Sequence, residues 1–139
     1  MLYFINKMLC EDPVENITIG DKIRGYAFKI RLNNYRGTFL STVEGLEVKV
    51  DDTPVPVENL TFCLNDKRYK IPELVDQYKE YWYVLDKAVV EVACPGGLPV
   101  GDHKFEVTLA VRSLTSGYAG STEFPVMTTT ETKTLQVLA

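Results

Sequence analysis

Apolar and polar residues alternate along much of this chain, and the alternation constrains its fold more than any other feature. The clearest case is residues 104–112, where Phe105, Val107, Leu109 and Val111 recur at every second position. Successive side chains of a β-strand point to opposite faces of a sheet, so this spacing predicts a strand that buries one face. The same pattern predicts strands at 24–32, 46–50 and 60–64, and the apolar run "AVVEVA" at 88–93 predicts a strand buried on both faces.

Turn-forming residues separate these segments. The sequence "NDKR" after Leu64 is suited to a tight hairpin, and "PGGLPVGDH" occupies 95–103. Only "PELVDQYKEYW" has helical character, which predicts one short helix or helical turn near 72–80. The polar, Gly/Ser/Thr-rich residues 115–133 are predicted to form the longest loop, followed by a last strand in "TLQVLA". Together these elements predict an all-β fold, an antiparallel β-sandwich that forms a single domain over 1–139.

Composition and charge narrow the class of protein. The chain has 45% hydrophobic and 24% charged residues, which is typical of a soluble globular protein. Its net charge of −4 argues against nucleic acid as the main partner, and no apolar run is long enough to span a membrane. Cys10, Cys63 and Cys94 lack metal-site spacing and are predicted to be free thiols. The opening residues do not resemble a signal peptide, so a cytoplasmic location is expected.

Few residues suit catalysis. His103 is the only histidine, which excludes a multi-histidine metal site within this chain and predicts a hairpin-end residue with a local hydrogen bond. Cys63 and Cys94 lie in apolar strand patterns, where structural thiols are expected, and the Asp51–Asp52 pair falls in a turn. We therefore predict no catalytic residue and no metal ligand in this chain.

Aromatic residues are more informative. The segment "YKEYWYVLD" contains Tyr81, Trp82 and Tyr83, and in a strand Trp82 would face away from the two tyrosines. Not all three can then be buried on one side of a strand. Two interpretations of the segment stay open, packing in the core alone and a binding surface. Exposed tryptophan and tyrosine suit protein interfaces and sugar-stacking platforms.

A second polar and aromatic group lies at "NNYRG", residues 33–37, which is either a solvated turn or a binding loop. Tyr118, in the predicted long loop, is interpreted in the same two ways. The residues predicted to line a partner interface or the rim of a pocket are Asn34, Tyr35, Arg36, Tyr81, Trp82, Tyr83 and Tyr118.

Three motifs in order resemble the small β-subunit of the bacterial C-glycoside deglycosidases. They are "YRG" with the "EGLEVKVDDTPVP" run, the "YW" pair after a short helical piece, and "PGGLPVGDHKFEVTLAVR". The resemblance covers residues 22–112 and is nearest to the puerarin-type isoflavone C-glucoside systems of gut bacteria.

The resemblance implies a hetero-oligomer, which could extend to a higher assembly, with a larger α-subunit that is a TIM barrel holding a divalent metal, usually manganese. Such lyases act on 3-oxo flavonoid or isoflavonoid C-glycosides and break the C–C bond by elimination. A base in the α-subunit removes the proton beside the keto group, and the products are the aglycone and an unsaturated anhydro-keto sugar. The present chain would be the accessory subunit, with no cofactor of its own.

Two other functions remain open from the sequence. One is a stand-alone carbohydrate-binding β-sandwich in which Trp82 and the neighbouring tyrosines stack on sugar rings. The other is a structural sandwich that assembles with copies of itself.

Overall fold

The computed structural model describes residues 8–10, 12–32, 38–83, 86–112 and 126–138. They form eleven strands and three short 3₁₀ helices, at Leu40–Thr42, Val57–Asn59 and Ile71–Asp76. The strands are β1 (Val14–Ile19), β2 (Lys22–Ile30), β3 (Thr38–Phe39), β4 (Val43–Val50), β5 (Thr53–Pro54), β6 (Leu60–Leu64), β7 (Lys67–Lys70), β8 (Tyr81–Trp82), β9 (Ala88–Ala93), β10 (Gly101–Arg112) and β11 (Val126–Leu138). The predicted all-β class is confirmed.

Nine strands form one large sheet in the order β5-β4-β10-β11-β1-β2-β9-β6-β7, and β3 pairs with β8 in a second, small sheet. The large sheet curls over itself, since the rings of Phe28 in β2 and Phe105 in β10 meet at 5.3 Å although these strands are not neighbours. Among the described strands, β1 and β11 pair in parallel, with Val14 opposite Val137. The sheet is therefore mixed, and the prediction of a purely antiparallel arrangement was wrong at this pair because nothing local in the sequence marks a pairing between distant strands.

The inward faces of the strands form one hydrophobic core. The alternating residues of 104–112 are buried as predicted, and so are the apolar positions of 46–50 and 60–64. Full burial of such a side chain contributes about 2 kcal/mol. Tyr26, Phe28 and Ile30 complete the core from β2.

The prediction that 88–93 is buried on both faces was wrong. In β9 the side chains of Ala88, Val90 and Val92 are buried, whereas Val89 and Glu91 are half-buried and Ala93 is exposed. No layer of the described chain covers this outer face, so β9 contributes one face to the core.

Residues 126–133 were predicted to be loop, and they belong to the 13-residue strand β11. Their threonines are β-branched and pair in register with β10, where the hydroxyls of Thr108 and Thr130 lie 2.8 Å apart. The loop prediction was wrong because it weighed polarity above β-propensity. The rest of that predicted loop, 115–125, lies outside the described residues.

Local turn and helix signals were more reliable. Asn65 and Asp66, with φ of 54° and 64°, join β6 to β7 in the predicted tight hairpin. The predicted helical turn is the 3₁₀ helix Ile71–Asp76, shorter than expected, with Leu74 in the core.

An N-terminal segment fills the space between β2 and β11. Met8 and Leu9 are fully buried, and Leu9 bridges to Ile30. The carboxylate of Glu131 accepts hydrogen bonds from the N–H groups of Met8 at 2.5 Å and Leu9 at 3.2 Å. Lys133 Nζ donates to the Leu9 carbonyl at 2.5 Å, so two inward charges of β11 hold this segment by its backbone.

No helix among the described residues is long and apolar enough to cross a membrane.

Candidate partner interface

Three aromatic rings form a continuous surface on the small sheet. Phe39 in β3 lies opposite Tyr81 in β8, with ring centroids 5.0 Å apart, and Tyr81 meets Tyr83 at 4.8 Å. Both pairs are edge-to-face, the geometry that aromatic quadrupoles favour. Phe39 is 41% exposed and Tyr83 61% exposed, whereas Tyr81 is half-buried between them. We call Phe39, Tyr81 and Tyr83 the aromatic patch.

Trp82 points the other way and lies in the core. Its side chain is fully buried, its ring meets Phe62 at 5.2 Å, and its Nε1–H donates to the Asp86 carbonyl at 3.0 Å. The prediction that Trp82 and the two tyrosines take opposite faces is confirmed. Trp82 itself therefore offers no surface to a partner or a sugar in this structure, and it instead anchors the strand that carries the patch.

Hydrogen bonds fix the backbone beneath the aromatic patch. The N–H of Leu40 donates to the Glu80 carbonyl at 2.9 Å, and that of Ser41 to Gln77 at 3.2 Å. Thr42 Oγ1 donates to the Phe39 carbonyl at 2.7 Å. Because these bonds join both sides of the small sheet, little ordering entropy remains to be lost when a partner binds the patch.

Asn34, Tyr35, Arg36 and Tyr118 lie outside the described residues, so their predicted interface role stays a prediction. Phe39 was missed by sequence reasoning, because a single phenylalanine in "GTFL" shows no alternation. Its neighbour in "GTFL", Thr38, lies opposite Trp82, and this pairing brings Phe39 beside the tyrosines.

His103 makes the local hydrogen bonds predicted for it, at the opposite end of β10 from the aromatic patch. Its Nδ1 lies 2.6 Å from Asp51 Oδ2 and its Nε2 lies 2.7 Å from the Pro99 carbonyl. The hydrogen bond with Asp51 raises the pKa of His103 and lowers the pKa of Asp51. Asp51 Oδ1 also accepts the N–H of Lys104 at 2.9 Å, so the group joins a turn to a strand.

The three cysteines are free thiols, as predicted. Burial raises the pKa of both Cys10 and Cys63, which keeps them in the unreactive thiol form. Cys94 Sγ lies 3.6 Å from the Gly97 carbonyl in a turn. Among the described residues, no three His, Cys, Asp or Glu side chains are placed to hold one metal ion.

A family model described as the C-glycoside deglycosidase beta subunit matches residues 4–114. The chain belongs to this family of β-subunits. The match includes the aromatic patch and every strand from β1 to β10, whereas β11 lies beyond it. The resemblance drawn from the sequence motifs is thus confirmed at the level of the family.

Three curated relatives agree with this assignment. A 3'-dehydrocarminate deglycosidase beta subunit from Microbacterium sp is 37% identical over 100 residues, 71% of this chain and 74% of its own length. C-glycoside deglycosidase beta subunits from Eubacterium cellulosolvens and Arthrobacter globiformis are 35% and 30% identical over 89 and 99 residues. These alignments cover 63% and 71% of this chain, but only 60% of the length of the Eubacterium protein and 72% of the Arthrobacter protein.

Proposed function

We propose that this chain is the accessory β-subunit of a heteromeric C-glycoside deglycosidase and binds a larger α-subunit. The observation that carries the proposal is the family match over residues 4–114. The names of the relatives describe them as subunits, and a subunit needs a surface for its partner.

In the complex, the α-subunit is a TIM barrel that contains the base and a divalent metal ion, which stabilises negative charge beside a carbonyl when bound. The substrate is a 3-oxo C-glycoside of a phenolic aglycone. The base takes the proton beside the keto group, the C–C bond to the aglycone breaks, and the aglycone carbon gains a proton. The products are the free aglycone and an unsaturated anhydro-keto sugar, with no change in the total number of atoms or electrons.

The aromatic patch supports the partner-binding role of this chain. Exposed aromatic rings provide large contact areas with few rotamers to order, and they are common at the centres of protein interfaces. Phe39 and Tyr83 present such rings from a backbone that Trp82 and several hydrogen bonds already fix. We propose that this patch contacts the α-subunit, together with the residues predicted at 33–37 and Tyr118.

The test is reconstitution with a larger deglycosidase subunit, sought first among the neighbouring genes. The isolated chain should be inactive on 3-oxo C-glycosides, and the mixed subunits should release aglycone. Deglycosidase activity of the purified chain alone, or no complex with that subunit, would refute the proposal.

Variants then test the patch. Phe39→Ala combined with Tyr83→Ala should weaken the complex by about 2 kcal/mol or more. Val100→Ala is the control, since Val100 is 65% exposed and directly precedes β10, at the end of that strand away from the aromatic patch. Equal affinities for the two variants would remove the patch from the interface while leaving the subunit assignment intact.

A further inference from the structure

A β-bulge in β2 turns the side chain of Arg24 toward the outer face of the large sheet. Gly25 lies opposite Ile17 of β1, but the next pair is Thr18 with Ile23, so Arg24 is the extra residue of the bulged strand. A Cβ on Gly25 would lie 2.1 Å from the Val92 carbonyl, so only glycine allows β9 to approach this closely. Bulges commonly redirect a side chain at a functional surface.

Arg24 lines a depression of about 330 Å³ on this outer face. The small residues Gly25 and Ala93 are part of its lining. We call this surface the Arg24 depression, and its larger lining side chains include Ile17, Ile19, Arg24, Thr61, Arg68 and Glu91. Ile19 is 64% exposed, so it offers apolar surface beside Arg24.

The charges of the Arg24 depression do not cancel. Arg68 pairs with Glu91 at 2.5 Å, whereas the side chain of Arg24 has no ion-pair or hydrogen-bond partner in the part of the chain that the structure describes. The surface is therefore locally basic on a chain whose net charge is −4. A guanidinium group and isoleucine side chains lie next to each other in the depression. A partner segment that complements it would therefore present a carboxylate next to an apolar side chain.

Two backbone features hinder strand addition at parts of the sheet edges. At the β7 edge the N–H of Lys70 is occupied by the Glu73 carboxylate at 2.6 Å, and the β5 edge contains Pro54, which has no N–H to donate. Side chains on the face of the sheet offer a partner contacts that do not depend on these edges.

We propose that the Arg24 depression binds an acidic segment of the α-subunit. A carboxylate of that segment pairs with the guanidinium of Arg24, and an adjacent apolar side chain packs on Ile17 and Ile19. This inference rests on the proposed function, because it takes the α-subunit as the partner. It concerns a surface that shares no residue with the aromatic patch.

The experiment measures the affinity of the purified chain for the α-subunit by titration calorimetry at low and moderate salt. Arg24→Glu should weaken binding about thirtyfold, which corresponds to about 2 kcal/mol. Arg24→Gln should weaken it less and should reduce the dependence of the affinity on salt. Lys22→Glu is the control, since it makes the same charge change on the same strand outside the depression and should bind within about twofold of the wild type.

The outcomes separate the two proposals. A complex that forms and turns over with Arg24→Glu at wild-type affinity would overturn this inference and leave the proposed function standing. No binding by the wild-type chain would overturn both. Loss of self-association in Arg24→Glu, with α-subunit binding unchanged, would mean that a second copy of this chain occupies the depression, which also overturns the inference.

Discussion

The Nδ1 atom of His103 lies 2.6 Å from the Oδ2 atom of Asp51, and this contact joins β10 to the turn between β4 and β5. The other ring nitrogen, Nε2, faces the carbonyl of Pro99 at 2.7 Å. A carboxylate and a carbonyl both accept, so the cationic imidazole, with a proton on each ring nitrogen, is the form that makes both hydrogen bonds. Lys104 and Asp102 are the other charged neighbours, and Lys104 pairs with Asp52 at 2.8 Å.

The first prediction concerns stability as a function of pH. The pKa of His103 is raised chiefly by its hydrogen bond with Asp51, so its contribution is full below its unfolded pKa of about 6.5 and is lost as the pH rises through the folded value. The pKa of Asp51 is lowered chiefly by the same bond, so its contribution is present above about pH 4 and is lost as the pH falls through the lower folded value. Urea unfolding should show about 1 kcal/mol less stability at pH 9 than at pH 5.5, and His103→Gln should remove most of this loss. The remainder comes from the Cys10 and Cys63 thiols, whose pKa values are also raised.

The same pair can be observed directly by NMR, since the chain has one histidine and its ring resonances are unambiguous. Asp51→Asn should lower the pKa of His103. Asp66→Asn is the control, because Asp51 and Asp66 both have positive φ in two-residue turns, but Asp66 lies at the other hairpin. An unchanged histidine titration in Asp51→Asn would refute the ion pair.

The second prediction concerns Trp82, the only tryptophan. A fully buried indole should emit at short wavelength and should resist quenching by acrylamide, and simple sugars should leave its emission unchanged. Trp82→Ala should destabilise the fold by about 4 kcal/mol, because it empties a large core site beside Phe62. Ready quenching of the wild-type protein would contradict the buried position and would revive the sugar-stacking hypothesis.

The third prediction concerns the N-terminal segment. Glu131→Ala leaves the buried N–H groups of Met8 and Leu9 without their acceptor, so it should cost about 2 kcal/mol and accelerate amide exchange at both residues. Glu47→Ala, an exposed carboxylate on the outer face of β4, should change neither quantity. Equal exchange rates in the two variants would show that Glu131 does not hold the segment.

The fourth prediction compares two strand glycines. Gly25→Ala forces a methyl group to within 2.1 Å of the Val92 carbonyl and should destabilise the protein by about 2 kcal/mol or more. Gly45→Ala meets no atom within 4 Å and should be neutral or slightly stabilising. Thermal unfolding of the two variants distinguishes them, and similar melting temperatures would argue against the close approach of β9 to Gly25.

Sequence reasoning located the strands whose two faces differ in polarity. Every second residue is buried from Phe105 to Val111 in β10 and from Leu46 to Val50 in β4, and burial imposes the same period that the sequence displays. The alternation also predicted that Trp82 and the tyrosines face opposite ways. It could not predict which of the two faces the core, because both sides of that segment are aromatic.

The sequence could not reveal the first part of β11, residues 126–133, by the same rule, although the last strand predicted in "TLQVLA" coincides with the end of β11. Its inward positions Glu131 and Lys133 are charged because they face the backbone of residues 8–10 rather than apolar side chains. The backbone groups that these charges bind lie more than a hundred positions earlier in the sequence, so the residues around 131–133 give no sign of them. Arg24 was missed for a related reason, since the bulge that redirects it depends on pairing with β1.

The parallel contact of β1 with β11 has a consequence for synthesis of the chain. While the ribosome is still adding residues, hairpins such as β6–β7 can already form, but β1 and β10 both wait for β11, which follows them in the sequence. Until Leu138 has been translated, two internal edges of the sheet stay open and prone to pairing with other nascent chains. We therefore expect the large sheet to close slowly, as is usual where distant pairings dominate, and subunit assembly to follow its closure.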